Sequence, residues 1–384
     1  MTDQIKFKTG MYDFHKNPNI NYQLNRAVNW GNGDYELVKK IAKESTSIEA
    51  LIENSYKRAV ECEKNLELDN AIACYRLAEF FLNSKDKRKI ISYKKALNLF
   101  NLKNKKNFEE KKEFLIKKEF VNYYNKQIPY YLFNPKVKEK DTIIIHGGFD
   151  SYMEEFFNAS KYLMQRGYKV ILFDGPGQGY ANRIEKIPFT HKWEEIIIKI
   201  HDELKLKNTI IIGFSLGAML APRAAAYEKR IKKIVSVGVM HDFFEVLISS
   251  KNKKVKKIIK TLINFKQKKL INFIMEKMMK KDLLAKWGIR HGMEIFNSNT
   301  PYDFLKDSKK YNIKDIENKI TQDVLIVTGS EDHFVPIKML DNMYKCFSNS
   351  KSVTIQVFND YAAKNHCQVG NCKLLMDNII KWLE

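Results

Sequence analysis

Ile210-Ile211-Ile212-Gly213-Phe214-Ser215-Leu216-Gly217-Ala218-Met219 reads as a buried strand that stops at a glycine, then one serine, a second glycine and a small-residue helix. The pattern is G-x-S-x-G set between strand and helix, the context that gives this short motif its meaning. In so tight a turn, side chains two before and two after the serine would collide, so glycine is expected at 213 and 217. The turn lifts the Ser215 hydroxyl clear of the sheet edge. The helix that follows, carrying Ala218, Ala221, Ala224, Ala225 and Ala226, brings backbone N–H groups and a positive dipole end toward a reacting oxygen. Ser215 is a candidate nucleophile.

Outward from this stretch, strands alternate with helices. Thr142-Ile143-Ile144-Ile145-His146 is a continuous apolar run of the kind buried on both faces. Strands are predicted at 169–173, 231–237, 324–328 and 352–358, with helices at 151–167, 191–204, 336–346 and 372–383 between or after them. Alternation of this kind predicts a parallel sheet. Ahead of it, 119–124 and 128–133 read as two strands joined by an Asn125-Lys126 turn. The pattern from Tyr35 to Phe120 is helical, with Leu37, Ile41, Leu51 and Ile52 on one face and Ala71, Cys74, Tyr75, Ala78 and Phe81 on another. Residues up to Asn29 read as an irregular arm with a short helix. The expected organisation is a helical cover domain (1–115), a first core segment (116–240), a helical lid insertion (241–312) and a second core segment (313–384). The lid is basic, and its Lys251 to Lys281 run is read as a solvated face in preference to a membrane-surface helix.

A serine hydroxyl is too weakly acidic to attack a carbonyl unaided; it needs a base, and the base needs an orienting carboxylate. The strand at 324–328 runs into Gly329-Ser330-Glu331-Asp332-His333-Phe334-Val335-Pro336, where Asp332 is the favoured acid and Glu331 its competitor. Tyr361-Ala362-Ala363-Lys364-Asn365-His366-Cys367 places His366 in a loop before the last helix as the base. His333 is given a minor part. Chain order Ser, acid, His at strand ends is the α/β-hydrolase arrangement. The oxyanion of a tetrahedral intermediate needs two preorganised N–H donors. Leu216 supplies one, and the loop after 142–146 supplies the other, from Phe149 in preference to Gly148. Asp150, in the same loop, either faces the site or caps the next helix through Ser151 and Glu154.

The stretches HGGFDSYMEEFF, FDGPGQG, GFSLGA, GSEDHFVP and NHCQVGN, with the helical N-terminal phrase A-x-x-C-Y-x-x-A-E-F-F, resemble the α/β-hydrolase family of the fermentation-respiration switch protein and 2,6-dihydroxypseudooxynicotine hydrolase. The resemblance covers nearly the whole chain after Tyr35. It implies an α/β-hydrolase fold, Ser215, Asp332 and His366 as triad, the Gly148-Phe149 loop and Leu216 as oxyanion hole, and a homodimer. It also implies a catalytic or substrate-binding role for Asp150, because an acidic residue in the G-G-x-[DE]-S loop serves catalysis in a member that cleaves a carbon–carbon bond beside a ketone. Other members are esterases. The Lys-rich lid departs from the family pattern.

The expected activity is therefore that of a serine hydrolase acting through an acyl-enzyme on a small-molecule ester or β-keto substrate. The rivals are a prolyl-oligopeptidase-like peptidase, which lacks its propeller repeats here, and a non-catalytic regulator on the same scaffold. No cofactor or metal is implied. The five cysteines have no regular spacing, which argues against a disulfide framework or a zinc site. The formal charge of +22 is carried by Lys rather than Arg and has no nucleic-acid motif beside it. No stretch is long and apolar enough for stable membrane insertion, and Met1 to Asn17 lacks a secretory h-region, so the expected location is cytoplasmic.

Overall fold

The computed structural model describes residues 5–137 and 140–384; Met1 to Gln4 of the N-terminal stretch lie outside it. Eight strands form one sheet: β1 (Phe114–Tyr123), β2 (Lys126–Pro135), β3 (Thr142–His146), β4 (Lys169–Phe173), β5 (Thr209–Phe214), β6 (Ile231–Val237), β7 (Asp323–Gly329) and β8 (Ser352–Phe358). Their spatial order is β1-β2-β4-β3-β5-β6-β7-β8. Pairing is parallel from β4 through β8 and antiparallel between β1, β2 and β4.

The Ile- and Val-rich runs explain the sandwich. With a side-chain period of two, Ile143 and Ile145, Val170 and Leu172, and Ile210 and Ile212 face one core. Ile144, Ile171, Ile211 and Ile234 face the other. Helices Phe157–Met164 and Cys372–Leu383, with the N-terminal helices beyond them, cover the first face. Helices Trp193–Glu203 and Gly217–Tyr227 cover the second.

Some boundaries differ from expectation. The segment expected as one helix over 151–167 is a 3-10 turn, Met153–Phe156, followed by helix Phe157–Met164. The hairpin turn is Tyr124-Asn125, not Asn125-Lys126. Both residues hold positive φ (46° and 63°) while Tyr123 pairs with Lys126, the geometry of a two-residue primed turn that follows strand twist. The helical reading of Tyr35 to Phe120 fails at its end, because β1 begins at Phe114.

The arm before Asn29 contains a full helix, Pro18–Asn29, capped by the Asn17 side chain on the Asn19 and Ile20 amides. Helices Tyr35–Glu44, Ile48–Lys64, Leu68–Phe81 and Lys87–Lys103 follow. Between β6 and β7 stand five helices and no strand: Phe243–Leu247, Lys253–Asn264, Lys268–Lys281, Leu283–Ile295 and Pro301–Ser308. A single antiparallel bridge, Asp242 to Asn312, closes this insertion at its base.

The N-terminal helices, core and insertion meet around buried charges. Glu79 is 1 % exposed at its side chain. It accepts from Arg183 Nε at 2.9 Å and from the Tyr152 hydroxyl, and Lys89 stands 3.8 Å away. Arg183 Nη1 also reaches Glu294 in the insertion at 2.7 Å. Burial pushes the Glu79 carboxyl up, but Arg183 and Lys89 outweigh it and hold it at about 2.

Candidate active site

β3 lies between β4 and β5, so the chain winds both ways from the β3/β5 seam. In open parallel sheets, sites form at the carboxyl ends of strands at such a switch point. Both the Gly147-Gly148-Phe149-Asp150 loop after β3 and the Ser215 turn after β5 sit there.

Ser215 has φ of 59°, a left-handed conformation that a serine adopts only where its surroundings impose it. Its N–H donates to the Val237 carbonyl at 2.9 Å, which ties the turn to β6. A Cβ at Gly213 would come within 2.0 Å of the Gly217 carbonyl oxygen, the collision the spacing foretold.

The structure brings Ser215, His366 and Asp332 together. His366 Nε2 is 2.9 Å from Ser215 Oγ, and His366 Nδ1 is 2.6 Å from Asp332 Oδ2. A carboxylate accepts only, so Nδ1 carries the proton and Nε2 is left to accept from the serine hydroxyl. The other Asp332 oxygen takes the N–H groups of Phe334 and Val335, each at 2.9 Å, so the turn after β7 holds the carboxylate in place. Its competitor Glu331 turns outward, 63 % exposed, and pairs with Lys364 at 2.9 Å. Burial disfavours protonated His366, but the adjacent Asp332 charge outweighs it and raises the imidazole well above its ordinary value.

Of the three candidate amides for the two oxyanion donors, Leu216 and the preferred Phe149 have no hydrogen-bond acceptor among the described residues. Gly148 does not fit that role: its N–H already donates to Ser151 Oγ at 3.0 Å. Its part is spatial, since a Cβ there would stand 2.6 Å from the Leu216 nitrogen. Gln178 braces the loop by donating to the Gly148 carbonyl at 2.9 Å. Asp150 does not cap the following turn; Glu155 accepts from the Tyr152 N–H at 3.3 Å. Asp150 Oδ2 instead receives Arg26 Nη1 at 2.6 Å, and Arg26 Nη2 reaches Glu155 at 2.6 Å.

These groups line a cavity of about 170 Å³, walled by Tyr22, Trp30, Phe149, Phe243, Met275 and Trp287 among others. His333 is also in the wall; burial holds its imidazole down at about 4, so the ring is neutral at neutral pH. Sequence reasoning missed the contribution of helix Pro18–Asn29. Tyr22 donates its hydroxyl to the His366 carbonyl at 3.3 Å, Arg26 holds Asp150, and Gln23 lines the cavity. The available signal was Asn17-Pro18 as cap and first helical residue, followed by apolar Ile20, Leu24 and Val28 at helical spacing.

A mostly parallel sheet, a serine on a strained strand-to-helix turn and a His–Asp pair within reach define a class that comparison with known proteins makes explicit. The model of the alpha/beta hydrolase fold family matches residues 142–362, and the chain belongs to that family. Among curated relatives, "20-hydroxy-prefusarin hydrolase FUS2" of Gibberella moniliformis is 30 % identical over 199 residues, 49 % of this chain and 47 % of that one. "Hydrolase LUC6" of a Fusarium species is 28 % identical over 211 residues, 52 % of this chain and 50 % of that one. The chain spans about half the length of these relatives. Among solved structures, 2,6-dihydroxy-pseudo-oxynicotine hydrolase superposes with a TM-score of 0.67 over 94 % of both chains at 17 % identity. AbyA5 superposes with a TM-score of 0.66 over 91 % of this chain and 90 % of that one at 12 % identity. Both have the fold of this chain.

Proposed function

We propose that the chain is a serine hydrolase that forms an acyl-enzyme from a small ester or β-keto substrate. The observation that carries this reading is the hydrogen-bonded line Ser215–His366–Asp332, at 2.9 and 2.6 Å, opening on a largely apolar cavity. His366 Nε2 removes the Ser215 proton as Oγ attacks the carbonyl carbon. The developing oxyanion rests on the Leu216 and Phe149 N–H groups. The carbonyl re-forms, the leaving group departs with the proton from His366, and Ser215 remains acylated. His366 then deprotonates a water that attacks the ester, and the carboxylic acid leaves.

With an ester the leaving group is an alkoxide, which His366 protonates directly. With a β-keto substrate it is an enolate that needs a proton on carbon. That proton is the one His366 took from Ser215, and Asp150, at the cavity wall with Arg26 orienting its carboxylate, is assigned to holding the substrate so that the transfer reaches carbon. The relative named for 20-hydroxy-prefusarin supports a small-molecule substrate. The test compares p-nitrophenyl esters with 1,3-diketones. Asp150→Asn is expected to leave ester turnover within a few-fold and to lower diketone turnover by about 10²-fold or more. Equal loss on both substrates, or loss on neither, contradicts the assignment.

The pH profile offers a separate check. His366 acts as base only when neutral, and Asp332 raises its ionisation above the ordinary range. Ester kcat/KM is therefore expected to fall as pH drops, with the acid limb centred above the free-imidazole value of about 6.5. A limb at or below that value contradicts the electrostatic description of the pair.

A further inference from the structure

The hairpin of helices Lys253–Asn264 and Lys268–Lys281 has two unlike sides. Inward, Ile259, Ile263, Ile271 and Met275 are buried against Phe244, Ile289, Tyr302 and Leu305. Ile259, Met275 and Met278 also line the catalytic cavity from above. Outward, the hairpin is dense in charge of one sign. Between Lys253 and Lys281 stand eleven lysines and one acidic residue, Glu276, a formal +10 of the chain's +22. Among the described residues only Lys260, with Glu245, and Lys268, with Asp303, have an acidic partner.

Interleaved with these lysines are four of the large apolar side chains that stand exposed: Ile258, Phe265 (72 %), Leu270 and Phe273 (53 %). Phe265 lies at the hairpin's turn, just past the end of the first helix, and Lys277 stands 4.3 Å above the Phe273 ring. A face built only for solubility mixes both signs of charge and keeps large apolar groups away. A cationic face studded with aromatic and aliphatic side chains is the composition of a helix that lies in a membrane interface. There apolar groups enter the acyl boundary while lysines extend to the headgroups.

We propose that this hairpin is a docking surface for a bilayer carrying anionic phospholipid headgroups. Charge complementarity selects the occupant. A second copy of the chain would present the same +10 face and be repelled. A nucleic acid would satisfy the lysines, but it has no acyl phase for Ile258 and Leu270, and the stretch contains no arginine for bidentate phosphate contacts. Each lysine brought to an anionic leaflet contributes roughly a fivefold factor in affinity, and the apolar side chains add a part that salt does not screen. The inference does not depend on the serine chemistry. Bound in this way, the roof of the cavity is the element that touches lipid.

The test is co-sedimentation of the full chain at low salt with vesicles of equimolar phosphatidylglycerol and phosphatidylcholine, and with phosphatidylcholine alone. The expected result is binding to the first and little to the second. Phe265→Ser/Phe273→Ser and, separately, Lys253→Gln/Lys266→Gln/Lys269→Gln are each expected to weaken binding about tenfold or more. Both variants are expected to keep the thermal transition of the parent, and the second keeps the fold testable should the first lose it. Absence of vesicle binding, equal binding to both vesicle types, or indifference to both sets of substitutions overturns the proposal. Binding to a duplex oligonucleotide without binding to vesicles also overturns it, and reassigns the face to nucleic acid.

Discussion

Ser215→Ala is expected to lower kcat for a p-nitrophenyl ester by roughly 10⁴- to 10⁶-fold, with KM and thermal stability close to the parent. The hydroxyl is the only atom removed, and the turn that holds it is fixed from elsewhere: the Ser215 N–H on β6, Gly213 against the Gly217 carbonyl, and the helix that follows. What survives is the cavity and the Leu216 and Phe149 amides, which still favour a tetrahedral oxyanion when water attacks directly. His366→Ala is expected to fall to a similar floor, and the double variant no lower, because the two residues act as one unit. Steady-state kinetics on the three variants decide the matter. A Ser215→Ala protein that retains more than about a hundredth of parental kcat would show that another group performs the attack.

The second large effect lies far from the cavity floor. Glu79→Ala is expected to destabilise the fold by about 3–5 kcal/mol, because it leaves Arg183 and Lys89 buried with their principal counter-charge gone. Glu294 still pairs with Arg183, at 2.7 Å, but it is the more exposed of the two acids. The pH dependence has a defined sign. Glu79 is held at about 2 in the fold, below its unfolded value of about 4.3. Its contribution is therefore present above the unfolded value and lost as pH falls toward 2. Denaturant melts of parent and variant at neutral pH and at pH near 3 measure both points. A loss under about 1 kcal/mol at neutral pH would mean that the network does not hold the N-terminal helices, core and insertion together as described.

The core was legible where burial on both faces imposed a simple pattern. Strands β3, β4 and β6 begin and end at the predicted residues, because runs such as Thr142 to His146 are buried and are followed at once by Gly or a loop. The bounds of β8 also agree, although that edge strand is exposed or half-buried over most of its length. The Ser215 turn was legible because its geometry tolerates glycine alone at 213 and 217. Where one face meets solvent, the signal weakened. In β1, Lys117, Lys118 and Glu119 separate Ile116 from Phe120 and Val121, which hid the first five residues of the strand.

The choice between Glu331 and Asp332 turned on which carboxylate the turn after β7 points inward, a matter of backbone direction that composition does not carry. The site's upper wall was the least legible part. Tyr22, Gln23 and Arg26 reach the site from a helix more than a hundred residues before the loop of Asp150. Their side chains are polar, as is usual on a solvated helix. Only the packing of the N-terminal helices over the strand ends turns that polar face inward.

The most direct measurement is reaction of the purified protein with a fluorophosphonate, read by intact mass and peptide mapping. The expected result is a single adduct on Ser215, absent from Ser215→Ala and strongly slowed in His366→Ala, since the phosphonate needs the same activated hydroxyl and the same two amides as an acyl substrate. No adduct, or an adduct on another residue, would contradict the assignment of Ser215 as nucleophile and leave the fold without the chemistry proposed for it.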